Sequence, residues 1–152
     1  MLPALIGAAA LIGLIAWANN DGKRIFITYD YDNDRHYKNM LCAWDKNSAF
    51  DFAFHDKSVD VSVQSTDEAV IRRVVSQRIK ESSHLLCVVG EHTWRSGWVK
   101  WEIEKARELG KPLIAVKTAK SNKKPRALSG GGASWALAFK FDSIKKAIEK
   151  AG

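Results

Sequence analysis

One stretch brings together the residue types that can do chemistry. Leu85 to Leu109 reads LLCVVGEHTWRSGWVKWEIEKAREL. Five apolar residues, Leu85 to Val89, predict a buried strand. The turn Gly90-Glu91-His92-Thr93 follows, and then a helix carrying Trp98, Trp101 and Glu102. In open α/β sheets, ligands gather at the carboxyl ends of the parallel strands, where such turns lie. A carboxylate among aromatic rings at that place can stabilise a developing positive charge.

A helix turns about 100° per residue, so the faces of this one can be assigned. Val99, Ile103, Ala106 and Gly110 form a narrow stripe that must face the sheet. Glu102 falls about 60° off that stripe, and Trp98 about 100° off on the same side. Trp101 and Glu104 fall roughly opposite the stripe. Glu102 is therefore expected half-buried beside Trp98, with a raised pKa. The competing reading is an ion pair with a neighbour such as Arg95. Trp101 is expected to face outward, as a contact surface for self-assembly. His92 has the chemistry to meet a phosphate or ribose, or simply forms the entry to the helix.

A second cluster follows the first strand, in Asp30-Tyr31-Asp32-Asn33-Asp34. Either Asp30 to Asp32 contact a ligand, or all three aspartates belong to a solvated loop that caps the following helix. A magnesium-dependent phospho-acceptor site also wants an aspartate ending the third strand. That strand ends in Val89-Gly90, which excludes the reading. No metal is expected: Cys42 and Cys87 lack zinc spacing and read as reduced thiols. Neither G-x-G-x-x-G nor a P-loop is present, and Gly130-Gly131-Gly132 precedes a strand rather than a helix.

The elements that must position these residues alternate. Strands are predicted at Arg24 to Tyr29, Phe50 to Phe54, Leu85 to Val89, Leu113 to Lys117 and Trp135 to Phe141. Helices are predicted at His36 to Trp44, from the Ser65/Glu68 capping box to Lys80, from the turn ending at Thr93 to Leu109, and from Asp142 to Ala151. Such β-α alternation argues for an α/β fold, a five-stranded, mostly parallel sheet covered by helices on both faces. The 152 residues suit one domain with an appendage, and 46% hydrophobic residues suffice for its core. The net charge of +7 is spread around, without an aromatic-laced basic stripe, so no nucleic-acid partner is expected.

Leu2 to Ala18 carries no charge and no polar face. It reads as a transmembrane helix, with residues 1–22 a separate N-terminal segment and 23–152 the domain proper. Trp17, Lys23 and Arg24 favour a retained anchor with the domain in the cytoplasm. A cleaved signal peptide, for which the usual positive leader is missing, and a buried or self-associating helix are the alternatives.

From Lys23 to Ala151 the chain resembles a TIR domain, and more closely the bacterial TIR-like family of Thoeris antiphage defence. Phe26-Ile27-Thr28-Tyr29-Asp30-Tyr31-Asp32, Gly90-Glu91-His92-Thr93 with Ser96-Gly97-Trp98-Val99-Lys100-Trp101-Glu102, and Gly110-Lys111-Pro112-Leu113-Ile114 carry the likeness. The resemblance implies a flavodoxin-like TIR fold and cleavage of the nicotinamide–ribose bond of NAD⁺, a substrate rather than a cofactor. It maps the catalytic glutamate of NAD-cleaving members onto Glu102. Asp30, Tyr31, Asp32, His92, Thr93 and Trp98 are then the expected substrate contacts. ADP-ribose or a cyclic or ADP-ribosyl signalling nucleotide is the implied product, and an effector protein the implied downstream partner. A non-catalytic oligomerisation module and a membrane-disrupting effector are the alternatives.

Overall fold

The computed structural model describes residues 9–11, 14–18, 23–46, 54–55, 62–64 and 67–152. In chain order the strands are β1 (Ala9–Leu11), β2 (Leu14–Ala18), β3 (Arg24–Thr28), β4 (Phe54–His55), β5 (Ser62–Gln64), β6 (His84–Val89), β7 (Leu113–Lys117) and β8 (Ala133–Ala136). The helices are α1 (Arg35–Lys46), α2 (Glu68–Glu81), α3 (Gly97–Glu108) and α4 (Phe141–Lys150).

β3, β6, β7 and β8 pair in parallel in that spatial order. Past β3 the sheet continues through β2 to β4, both antiparallel, and β1 pairs with β5 separately. The result is an α/β fold built on four parallel strands and four helices. β6 lies between β3 and β7, and all its residues are buried. An interior parallel strand is apolar on both faces for that reason. Leu85, Cys87 and Val89 pack with α2 and α3, while Leu86 and Val88 pack with α1 and α4.

The helix signals act locally. Asp67 caps α2 by accepting from the Ala69 amide at 2.9 Å, and Arg78 and Lys80 lie in the last turn, where the helix dipole favours cations. Ile71, Val75 and Ile79 recur every four residues and are the buried stripe of α2. Ser96 caps α3 through the Val99 amide at 3.2 Å. Gly110 ends the helix at φ 69°, and Lys111 N–H returns to the Ala106 carbonyl at 2.9 Å. That is a Schellman stop, which needs the left-handed conformation glycine adopts freely. Beyond it, Arg107 of α3 donates to the carbonyls of Ala127, Ser129 and Gly131, tying the glycine-rich loop to the helix.

Several expectations are revised. The cap of α2 is Asp67, and Ser65 lies outside the described residues. β8 stops at Ala136, because the chain bends so that Lys140 N–H reaches the Ala138 carbonyl at 2.9 Å. α4 begins at Phe141 behind Lys140, leaving Asp142 inside its first turn rather than capping it. The strand expected at Phe50 to Phe54 falls mostly outside the described residues; Phe54–His55 pairs antiparallel with β2.

The N-terminal helix expected over Leu2 to Ala18 is replaced, over Leu14–Ala18, by a strand. There the backbone runs antiparallel to β3, with Leu14 opposite Ile27 and Trp17 opposite Arg24. A long apolar run fits an internal strand as well as a helix, and hydropathy alone does not separate them. Residues 2–8 and 12–13 lie outside the described residues. Among the described residues no helix is long and apolar enough to cross a membrane.

Candidate active site

Glu102 lies deeper than helical geometry predicts. It is 2% exposed. The Thr28 hydroxyl donates to its Oε1 at 2.5 Å, whereas Oε2 is buried without a hydrogen-bond partner. Thr28 is the last residue of β3 and stands in register with Cys87 of β6. The carboxyl is therefore lodged between α3 and the paired strands β3 and β6, at the last residue of β3. Burial pushes its pKa up to about 8, against the opposing pull of the Thr28 hydrogen bond. Burial, and then the Glu102 and Asp34 carboxyls, likewise push the Cys87 thiol up. Such a thiol is a packing group rather than a nucleophile. The ion pair with Arg95 is not formed: Arg95 is exposed, and Glu102 has no cationic partner among the described residues.

Trp98 is 5% exposed, and its ring stacks on Trp101 with centroids 5.2 Å apart. Trp101 is half-buried against the core rather than facing outward. A wheel drawn from the sheet treats the far side of a helix as solvent, but α2 packs alongside α3 there. Its Arg72 guanidinium lies over both rings, 4.7 Å from the Trp101 centroid and 5.5 Å from that of Trp98. Glu104 is exposed, as expected.

The acidic loop serves mainly itself. Asp30 accepts from the Asp32 amide at 3.2 Å and the Asn33 side chain at 2.7 Å, which fixes the turn. Asp32 is exposed, and Tyr31 is half-buried under the Arg35 guanidinium, 4.3 Å from its ring centroid. Asp34, which the sequence did not single out as a contact, is only 5% exposed. The single Thr93 hydroxyl proton is shared between Asp34 Oδ2 at 3.2 Å and the Val88 carbonyl at 3.3 Å, and the hydroxyl oxygen accepts from Gly90 N–H at 2.8 Å. A Cβ on Gly90 would stand 2.0 Å from Asp34 Oδ2, so only glycine admits the carboxyl. Burial and the nearby Asp30 charge raise the Asp34 pKa, while Thr93, His36 and His92 draw it down.

Thr93 is thus a fully buried lock, and His92 is half-buried, 3.9 Å from Glu91. The structure brings together Glu102 with Thr28, Trp98 with Trp101, and Thr93 with Asp34. Asp30, Tyr31 and Asp32 form a rim after β3 instead of joining Glu102. Sequence reasoning passed over Thr28, Gly90 and Arg72, and weighed Asp34 only as a metal ligand or as part of a capping loop. Thr28 alone left a signal, a hydroxyl inside the apolar run Arg24 to Tyr29. A cleft of about 600 Å³, lined by Tyr37, Met40, Leu137 and Phe139 among others, opens on the α1 and α4 face and does not include Glu102. No group of three or more metal-binding side chains occurs among the described residues.

Four parallel strands, with a carboxyl-bearing W-V-x-x-E helix after the second, are the frame of a TIR-like domain. Residues 26–123, more than half of the chain, match the family described as Thoeris protein ThsB, TIR-like domain, and the chain belongs to that family. It is also similar to the putative cyclic ADP-D-ribose synthase TIR2 of Cytobacillus dafuensis, at 25% identity over 92 residues. That match covers 60% of this chain and 24% of the relative, so the chain spans about a quarter of that protein's length.

Proposed function

We propose that the chain cleaves NAD⁺ at the nicotinamide–ribose bond in bacterial antiphage defence, with Glu102 as the catalytic carboxylate. The observation that carries this reading is the buried Glu102 carboxyl, held by one oxygen and unpartnered at the other. As the C1′–N bond breaks, its electron pair leaves with neutral nicotinamide. The ribose is left as an oxocarbenium-like cation. A carboxylate beside it stabilises that charge, and in a water-poor site it does so strongly. Water then captures C1′ to give ADP-ribose, or an adenine nitrogen of the same molecule captures it to give a cyclic product. The likeness to TIR2, a putative cyclic ADP-D-ribose synthase, supports the cyclic outcome.

The substrate assists its own catalyst. The nicotinamide ring of NAD⁺ carries a positive charge, and a cation nearby favours the ionised carboxyl. Asp30, Tyr31, Asp32 and His92 supply a polar rim for ribose and phosphate, and Trp98 an aromatic wall. The test is mass spectrometry of NAD⁺ incubated with the full chain and with its Glu102→Gln variant. Nicotinamide release that depends on Glu102 supports the reading; unchanged release from the variant overturns it.

A second reading, a non-catalytic assembly module with Trp101 at its contact, draws on the 2% exposure of Glu102. It requires that Trp101→Ala disrupt oligomers while Glu102→Gln leaves function intact. A downstream effector protein is the partner either reading would serve. Membrane attachment through residues 2–18, with the domain in the cytoplasm, rests on the absence of charge there. Pairing of Leu14–Ala18 with β3 competes with it, and fractionation of the expressed chain decides between them.

A further inference from the structure

We propose that Thr28 is the positioning residue for Glu102: its hydroxyl fixes Oε1 on the sheet and leaves Oε2 as the oxygen offered to the substrate. The inference rests on the proposed NAD⁺ cleavage and adds a second residue to it.

The strand shows why a threonine here is informative. Ile25, Phe26, Ile27 and Thr28 are all buried. Successive side chains alternate between faces, so Phe26 and Thr28 share the α2 and α3 face. Thr28 is 1% exposed. Valine has nearly the same shape and suits a buried parallel strand without any polar atom to satisfy. A hydroxyl in its place must be paired, and its partner is Glu102 Oε1 at 2.5 Å, the short end of the O–H···O range.

Among the described residues no other group shares the task. From β6 the Cys87 thiol stands beside Thr28 in register, and its Sγ leans 3.8 Å to the Val88 carbonyl. The Asp34 carboxyl acts on that same thiol. From α2, Arg72 lies over the rings of Trp98 and Trp101, and Lys105 of α3 reaches 3.0 Å to Glu108. What sets the ionisation of Glu102 is burial and the Thr28 hydrogen bond. A hydroxyl donates to an ionised carboxylate and can turn to accept from a protonated carboxyl. Thr28 therefore holds Oε1 on both sides of the titration, which a fixed N–H donor does not.

The experiment uses the full chain and its Thr28→Val, Thr28→Ala and Thr28→Ser variants. Glu102 is titrated through its ¹³C-carboxyl NMR signal, assigned by its loss in Glu102→Gln. Nicotinamide release is measured across pH. Removing a hydrogen bond to a charged group is expected to raise the Glu102 midpoint by about one to two pH units. The acidic limb of the activity profile should move up equally. At pH 7 that is a roughly ten- to hundredfold loss, falling on kcat more than KM. Thr28→Ser should restore both. The two apolar variants report the same hydrogen bond, so either suffices if the other fails to fold. An unmoved midpoint and limb in a folded apolar variant, with Glu102→Gln inactive, overturns this inference alone. Full activity in Glu102→Gln overturns the proposed function instead, while the NMR titration still decides whether Thr28 holds the carboxyl.

Discussion

Two buried carboxyls in this domain each meet a threonine hydroxyl, and they are built for different ends. Asp34 is one of several groups on Thr93, which also takes the Gly90 amide and reaches the Val88 carbonyl. Its carboxyl fills the space a Gly90 side chain would need. Every part of that cluster limits motion, and the cluster locks the loop after β3 to the turn after β6. Glu102 has a single hydrogen bond from Thr28 and one bare buried oxygen. Leaving a buried polar atom unpaired is destabilising, so it is tolerated where something else will pair with it. The first carboxyl is masonry, and the second is an unfilled valence of the site.

The widest break in that comparison is Glu102→Gln. Its loss is expected to lower nicotinamide release by roughly a hundredfold or more, the scale of removing a main electrostatic group. Circular dichroism should show an unchanged fold. Next in size is Gly90→Ala, which drives a methyl into Asp34. Overpacking of this kind costs about 1–3 kcal/mol, read in denaturant unfolding. Stability should suffer here, whereas Glu102→Gln should spare it.

The pH dependence sharpens the contrast further. Both carboxyls are raised by burial, so each binds its proton more tightly folded than unfolded. Such a group contributes its full stability below the ordinary carboxylate range. That contribution is lost as the pH rises, for Glu102 until about 8. The Glu102→Gln variant should thus melt higher than the native chain at pH 8, and the gap should narrow toward pH 4.5. A gap independent of pH would show that Glu102 is not neutral when folded. The smallest effect expected is that of Arg72→Ala, which removes the cation over two stacked tryptophans. About 0.5–1 kcal/mol is at stake, read as a shift in melting temperature and in tryptophan fluorescence.

Much of this was written locally in the chain. β7 falls where the apolar run between Pro112 and Thr118 places it, and Gly110 stops α3 as its neighbours predict. Of the predicted stripe, Val99, Ile103 and Ala106 are wholly buried and Gly110, past the helix end, is exposed, while the burial of Glu102 was legible from the same angles. What was not legible depends on neighbours distant in sequence. Arg72 covers Trp101 because α2 lies beside α3, and no single-helix wheel contains α2. Asp34 looked like one more loop acid, and its burial comes from Thr93 and Gly90, far along the chain. At Leu14–Ala18 the apolar pattern was read correctly and its period wrongly, since an all-apolar run has no period to read.

The Arg107 contacts have a mechanical consequence. Arg107 stands further along the same helix as Glu102 and grips three carbonyls of the loop that ends in Gly130-Gly131-Gly132. Those glycines, all at positive φ, leave open space around their α-carbons. The helix that carries the carboxyl is therefore held twice, by its buried stripe against the sheet and by Arg107 through a glycine-turned loop that leads into β8.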